Sequence, residues 1–304
     1  MTPASEKFLA EIRSDNADVR YAAWSRAGEM DPEVIPELGK LLTAEQPGVR
    51  KASGEGLKNI VHSVGKEPGG ARRAAVVGHL IAMTAGGHAV WARTVALRHL
   101  SLIGSDETVP TAARLLGNAE LQEEAAFCLE RIPGSPATAA LMSALPAAGD
   151  AFKPRILTAL GHRRAEEAAD LCAAAMASRN LDVAMAGMKA LARIGKKPSV
   201  EVKFPAYESL SGWQKIEFAD SYLRYADERV RRGATQEAIR IYRDFLNRPE
   251  EHLQCAAIIG LSKTGAPESA GLIFTKLKSG NNTVRITAGK AWSAMAKDGP
   301  PRVG

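Results

Sequence analysis

Six histidines are the residues of this chain best suited to bind a metal ion or to transfer protons: His62, His79, His88, His99, His162 and His252. Two histidines four residues apart would share one face of a helix, but no pair has that spacing. No carboxylate recurs beside them. The sequence therefore predicts surface or partly buried histidines, and it predicts neither a bound metal nor a cofactor.

The cysteines and serines show no spacing that is typical of a nucleophile. Cys128, Cys172 and Cys255 lie far apart without a Cys-x-x-Cys pair, which favours free, buried or half-buried thiols in a reducing compartment. No serine lies in a Gly-x-Ser-x-Gly motif, and Gly65–Gly70 lacks the Gly-Lys-Ser/Thr ending of a phosphate-binding loop. The sequence thus gives no positive indication of catalysis. Residues 1–12 contain no apolar signal-peptide stretch, so we expect a cytoplasmic protein.

Four arginines recur at equivalent places, each directly after a small or branched apolar residue: Arg20, Arg50, Arg93 and Arg285. A row of such cations is one way to bind phosphate groups. The net charge is +6, and residues 196–304 hold 18 basic and 12 acidic side chains. Most basic residues nevertheless have acidic neighbours, unlike the concentrated basic stripe of a nonspecific DNA-binding protein.

These arginines belong to a segment that is repeated along the chain. Each copy starts with an apolar residue, has a small residue four positions later and has a large apolar residue eight positions later. The copies begin at Val19, Val49, Ala92, Leu121, Phe152, Val183, Leu253 and Val284. Successive starts are 30, 43, 29, 31, 31, 70 and 31 residues apart, so the period is near 31 residues.

The repeated segment has the spacing of an amphipathic helix. Positions 0, 4, 8 and 11 of each copy lie on one helical face, and we name this predicted helix the B helix. Before it lies a second apolar segment, the A helix, with start signals such as Asp31–Glu33 and Ala266–Glu268. Four glycines are expected to end B helices in the left-handed conformation: Gly104, Gly161, Gly195 and Gly265. With 45% hydrophobic and 5% aromatic residues, the sequence predicts an all-α protein.

The Val-Arg pairs that start B helices and endings such as Ala190–Gly195 resemble HEAT-like repeats. The period is shorter than the roughly 40–47 residues of full HEAT units, so the closer resemblance is to the short repeats first associated with phycobilisome lyases. The resemblance implies a right-handed α-solenoid of about eight or nine hairpins, which we expect to form one domain over residues 1–304. It also implies that the repeated arginines bond between adjacent repeats and that the B helices line the concave surface.

Two enzyme classes with related helical repeats provide alternatives to a binding role. Deoxyhypusine hydroxylase binds iron through repeated His-Glu pairs, but none of the six histidines here is followed by Glu. Alkylpurine DNA glycosylases use a basic concave face with tryptophan and Asp. Trp24, Trp91 and Trp292 lie on or beside predicted B helices, but the glycosylase motif does not align with this sequence residue by residue.

Residues 196–248 interrupt the period. We expect an enlarged hairpin there, with a long helix over Tyr207–Ala226 and a second helix over Ala234–Leu246. The segment is basic and carries four of the five tyrosines of the chain. Its aromatic side chains either form a specialised surface or pack the larger hairpin, and the sequence leaves both interpretations open.

The outward positions of the B helices are 2, 6 and 9 of the repeat, and they define a predicted partner-binding row: Lys51, Glu55, Lys58, Arg98, Phe127, Glu130, Lys189 and Lys290. A second predicted contact is the arginine cluster of the irregular segment, Arg229, Arg231 and Arg232. The mixed charge of the row favours a protein partner over DNA. We therefore predict a noncatalytic protein-interaction scaffold. The alternatives are a nucleic-acid-binding or repair protein and a cofactor-handling lyase subunit.

Overall fold

A computed structural model describes residues 1–66, 69–200, 207 and 210–296. Over these residues the chain forms seventeen α-helices, joined by turns and short 3₁₀ segments, and no strand. The helices are α1 Pro3–Ile12, α2 Ala17–Ser25, α3 Ile35–Leu41, α4 Pro47–Gly65, α5 Ala71–Met83, α6 Val90–Ile103, α7 Val109–Leu115, α8 Gln122–Arg131, α9 Ser135–Ala144, α10 Lys153–His162, α11 Ala169–Ala175, α12 Leu181–Ile194, α13 Gly212–Arg231, α14 Thr235–Leu246, α15 Glu251–Lys263, α16 Pro267–Lys276 and α17 Asn282–Ala296. The all-α prediction is confirmed.

The chain divides into two compact units, Met1–Ala159 and Leu160–Gly304. In the first unit the B helices α2, α4, α6 and α8 pack successively against one another, while the A helices lie between them in the sequence. In the second unit α12 packs against α13, α13 against α15 and α15 against α17. The continuous right-handed solenoid remains a prediction. No helix in the described part of the chain is both long and apolar enough to cross a bilayer.

The predicted inward face of the B helices is confirmed. Positions 0, 4, 8 and 11 are buried throughout the copies that start at Val49, Ala92 and Val183. Removing a side chain of the size of leucine from water contributes about 1.5–3 kcal/mol to stability. Trp292, at position 8 of the last copy, was expected to be buried but is partly exposed and packs against Phe274 at 5.3 Å between ring centroids. Within the described residues no B helix follows α17 to cover it.

Three B helices begin with the same Ser-x-Asn cap. In α2, the Asn16 side chain accepts hydrogen bonds from the backbone N–H groups of Asp18 (2.8 Å) and Val19 (3.4 Å), while Ser14 Oγ accepts one from Asn16 N at 3.1 Å. Ser178 with Asn180 and Ser279 with Asn281 form the same pattern. These bonds satisfy N–H groups that the first turn of a helix leaves unpaired. Each capped turn is therefore specified by its own residues.

The prediction that four glycines end B helices in the left-handed conformation is confirmed at two positions only. Gly195 (φ 67°) and Gly265 (φ 64°) adopt the left-handed conformation. Gly104 has φ −68°, and a Cβ there would lie 2.6 Å from the carbonyl oxygen of Leu100. Gly161 lies within α10, where a Cβ would lie 2.8 Å from the Cα of Ala190. At the last two positions glycine is required by close packing, so the left-handed prediction was wrong there.

The irregular segment differs in its bounds from the prediction. The long helix α13 begins at Gly212 instead of Tyr207, because Ser211 and Gln214 form a capping box, and it ends before Gly233, whose φ is +75°. The second helix, α14, follows the prediction within one residue. The parts of the segment at 201–206 and 208–209, like residues 67–68 before α5, lie outside the described residues.

Candidate functional site

Large apolar side chains that are exposed to solvent are concentrated on the B helices. Eight of them lie there: Val19, Tyr21, Val90, Trp91, Leu102, Phe127, Ile259 and Ile286, while Trp213 and Ile216 lie on α13 of the irregular segment. Among the described residues, Phe274 is the one exposed large apolar side chain on an A helix. Exposed aromatic groups on one class of helix mark a surface for contact with another molecule.

On α2 and α6 the exposed rings are held by neighbouring side chains. Tyr21, which is 61% exposed, packs edge-on against Trp24 with 4.9 Å between centroids. Trp91 is 51% exposed, and the Arg98 guanidinium lies 5.7 Å from its ring centroid. Arg98 Nε also donates to Glu124 Oε1 of α8 at 3.1 Å, and this bond raises the pKa of Arg98. The ring and the cation are therefore ordered before any partner binds.

The same combination of ring and cation recurs on α8. Phe127 is 37% exposed, and Arg131 lies 5.6 Å from its ring centroid. One turn away, Glu130 accepts a hydrogen bond from Arg155 Nη1 at 2.7 Å. The surface formed by Tyr21, Trp24, Trp91, Arg98, Phe127 and Arg131 is named the aromatic surface below.

The predicted partner-binding row lies on B helices, but most of its charges already have partners. Lys58 pairs with Glu55 on α4, Arg98 with Glu124, Glu130 with Arg155, and Lys189 with Glu217 of α13. Several of these pairs join one B helix to the next. Lys51 and Lys290 are exposed and form no ion pair within the described residues. Tyr21 and Trp91 were missed by the row, although their places at position 2 and one residue before position 0 put them on the same helical face as Phe127.

The three arginines of the cluster in the irregular segment differ in exposure: Arg231 and Arg232 are exposed, and Arg229 is mostly buried. Arg229 is 13% exposed, donates to Glu237 Oε2 at 3.0 Å and donates to the carbonyl oxygen of Gly195 at 3.1 Å. Arg232 donates to the carbonyl oxygen of Ile194 at 2.9 Å and pairs with Glu166 at 2.6 Å. These two arginines hold α13 against the end of α12. Arg231 is exposed and pairs with Glu228, and its contact with a partner remains a prediction.

The repeated arginines bond within their own hairpins, not between adjacent repeats as expected. Arg20 Nη1 donates to the carbonyl oxygen of Ser14 at 2.6 Å, Arg50 Nη1 to Ala44 at 2.7 Å and Arg285 Nη1 to Ser279 at 2.7 Å, in each case six residues earlier. These carbonyl groups follow the ends of A helices, where they lack helical partners. Bonds between repeats are made nearby instead, as from Gln46 Nε2 to Asp15 Oδ1 at 3.0 Å.

Two thiols and one histidine, Cys128, Cys172 and His99, have the environments of structural residues. Burial raises the pKa of Cys128 and of Cys172 to about 12, so both are protonated at neutral pH. Burial, with His62 and Lys58 nearby, lowers the pKa of His99 to about 4. No group of three or more side chains able to hold a metal ion occurs among the described residues.

A cavity of about 350 Å³ in the second unit is lined by tyrosines and carboxylates of α13 and α14. Tyr225 Oη donates to Glu237 Oε1 at 3.4 Å, and the same carboxylate accepts the bond from Arg229. Burial raises the pKa values of Tyr222 and Tyr225 to about 12. Tyr225 and Arg229 of α13 thus both donate to Glu237 of α14, as expected for side chains that hold two helices together.

No protein-family model matches the chain, and no curated protein matches it. Three solved structures are similar in outline. An engineered protein has a TM-score of 0.44 at 18% identity over 97% of this chain and 89% of its own. Human deoxyhypusine hydroxylase in complex with glycerol has a TM-score of 0.39 at 14% identity, and the match covers 74% of this chain and 97% of that one. A mutant of Kap121p has a TM-score of 0.45 at 12% identity, and the match covers 97% of this chain and 34% of that one. Because these TM-scores lie below 0.5, the function is argued from the residues of this chain alone.

Proposed function

We propose that this protein is a noncatalytic binding module that recognises a protein partner through the aromatic surface of the unit Met1–Ala159. The observation that carries the proposal is the distribution of exposed rings, which lie on α2, α6 and α8 and are each accompanied by an arginine or a second ring. Trp, Tyr and Arg are the residue types that most often dominate the binding energy of protein interfaces.

Preorganised side chains lower the cost of binding. Fixing a flexible side chain at an interface costs about 0.5–1.5 kcal/mol. Arg98 is already held between Trp91 and Glu124, and Arg131 lies over Phe127. A partner that covers these rings therefore gains from apolar burial without first ordering the arginines.

The charges of the predicted row favour a protein over a nucleic acid. Arg98 is paired with a carboxylate of the next B helix and Lys189 with a carboxylate of α13, and a phosphate backbone would have to displace those carboxylates. Aromatic anchors surrounded by paired charges are typical of a protein interface. The irregular segment supports the proposal less, since Arg229 and most of its aromatic rings are occupied in packing.

The test is capture of partners from the native cell by crosslinking and mass spectrometry with matched variants. We expect Trp91→Ala combined with Phe127→Ala to reduce capture of the specific partner at least about tenfold, since each anchor ring contributes more than about 1 kcal/mol. Trp213→Ala is the control, because Trp213 is equally exposed but belongs to the other unit. Equal capture by the double variant and the control would contradict the proposal. A salt-dependent shift of short duplex DNA that the double variant retains would favour nucleic-acid binding instead.

A further inference from the structure

One of the four repeated arginines differs from the others in its hydrogen bonds. The loop between α5 and α6 is longer, and the carbonyl oxygen that Arg93 reaches belongs to Thr84, nine residues earlier. This bond, 2.9 Å long, is made by Nε instead of Nη1. The Nη groups of Arg93 have no acceptor within the described residues, whereas Arg20, Arg50 and Arg285 use theirs on loop carbonyl groups.

Arg93 is also buried, with 9% of its surface exposed. No carboxylate of the described chain lies within ion-pair distance of it. The surface that Arg93 still exposes includes its Nη atoms, which are not enclosed by protein, so the four unused N–H donors of this guanidinium are open to an acceptor from solution. A cation that is mostly removed from water is stabilised by an anion beside it.

The surroundings of Arg93 form a cleft with room for such an acceptor. The cleft has a volume of about 410 Å³ and lies at the turns that join α5 to α6 and α7 to α8. Its lining includes a second arginine, Arg114, at the end of α7, together with Thr84 and Asn118, and no acidic residue of the described chain. Arg114 is exposed and forms no ion pair within the described residues. The cleft thus has two positive charges and no countercharge.

We propose that this cleft binds a phosphate dianion, either free phosphate or the phosphate group of a small phosphorylated molecule. A phosphate ester carries a charge of about −1.5 to −2 at pH 7, which balances two arginines, whereas a carboxylate balances only one. The planar guanidinium fork matches two phosphate oxygens at once. The volume lies in the range of small-molecule sites, about 300–1,000 Å³. This site is separate from the aromatic surface and stands without the proposed protein partner.

Calorimetric titration with inorganic phosphate at constant ionic strength tests the proposal. We expect saturable binding to the wild type. Arg114→Gln should weaken it about tenfold or more, since one hydrogen bond to a charged group contributes about 1.5–3 kcal/mol. Arg50→Gln is the matched control, because Arg50 occupies the position of Arg93 in the neighbouring B helix but its Nη1 is bonded to carbonyl groups. Arg93→Lys keeps the charge but loses the fork, and it should also weaken binding.

Circular dichroism of each variant establishes that the fold is intact. Absence of saturable binding tighter than about 1 mM would overturn the proposal, as would equal affinities of Arg114→Gln and Arg50→Gln. Acetate that binds as tightly as phosphate would overturn the assignment of a dianion. Phenyl phosphate distinguishes the two sources, since tighter binding than inorganic phosphate indicates a phosphorylated molecule and equal binding indicates free phosphate.

Discussion

The ring cluster between α13 and α14 and the exposed rings of α6 and α8 have opposite environments. In Leu160–Gly304, Phe218 and Phe245 are buried between α13 and α14 with 6.5 Å between their centroids, and the half-buried Tyr222 packs against both. In Met1–Ala159, Trp91 and Phe127 project from B helices beside arginines. The irregular segment therefore uses most of its rings to pack its two helices together, whereas α6 and α8 present Trp91 and Phe127 outward. Whether a ring is buried or exposed depends on its position on the helix and not on how many aromatic residues lie nearby in the sequence.

The largest expected difference between the regions is in stability. Phe245→Ala removes a ring that is 1% exposed, and we expect a loss of about 3–5 kcal/mol in the free energy of unfolding. Phe127→Ala removes a ring that already contacts solvent and should cost less than about 1 kcal/mol. Urea unfolding followed by circular dichroism measures both. Similar losses for the two variants would show that the proposed contrast between buried and outward rings is wrong.

A smaller difference is expected for the arginines. Arg229→Gln breaks the bonds to Glu237 and to the carbonyl oxygen of Gly195 and leaves a partly buried carboxylate, so we expect a loss of about 2–3 kcal/mol. Arg98→Gln breaks an exposed pair and should cost no more than about 1 kcal/mol. Thermal melting of the two variants compares them. An unchanged melting temperature for Arg229→Gln would restore the cluster as a free binding surface.

The stability of the two regions should also respond differently to pH, and we expect each titrating group to change the free energy of unfolding by roughly 1–2 kcal/mol. The pKa of His99 is lowered to about 4, so the unfolded chain binds its proton first and stability falls as pH drops from 6.5 toward 4. The pKa of Tyr222 is raised to about 12, so the unfolded chain loses its proton first and stability falls as pH rises from 10 toward 12.

Urea midpoints at pH 5, 7 and 10.5 measure these two effects. His99→Gln should flatten only the acid side of the profile, and Tyr222→Phe only the alkaline side. Each variant serves as the control for the other. An acid side that His99→Gln leaves unchanged would assign the loss of stability to other groups.

The periodic part of the fold was predictable because burial repeats with the helical period. Val49, Ser53, Leu57 and Ile60 fall on one face whatever the neighbouring repeats contain, and all four are buried. The bounds of α14 followed from the same pattern within one residue. The Ser-x-Asn caps were also visible in the sequence, three times at the same distance before a valine, but they were not recognised.

The candidate sites were less predictable because they depend on contacts between elements. Arg229 and Arg231 look alike in the sequence, yet one is buried by the end of α12 and the other is exposed. Arg93 has the same sequence context as Arg50, and its unused donors arise from the length of the loop before it. Side-chain type and helical position do not determine which residues of other elements a side chain contacts in the folded protein.

The sequence separation between hydrogen-bonded residues determines the order in which these bonds can form while the chain is synthesised. Gln46 binds Asp15, 31 residues earlier, and Arg72 binds the carbonyl oxygen of Gly28, 44 residues earlier. At about 10 residues per second on the ribosome, a new hairpin emerges about every 3 s and finds the surface that it packs against already made. At that rate Arg232, which lies 66 residues after Glu166 and pairs with it, is synthesised about 7 s later. The first unit can thus assemble hairpin by hairpin as it is translated, whereas the bond between Glu166 and Arg232 can form only after most of the irregular segment has been made.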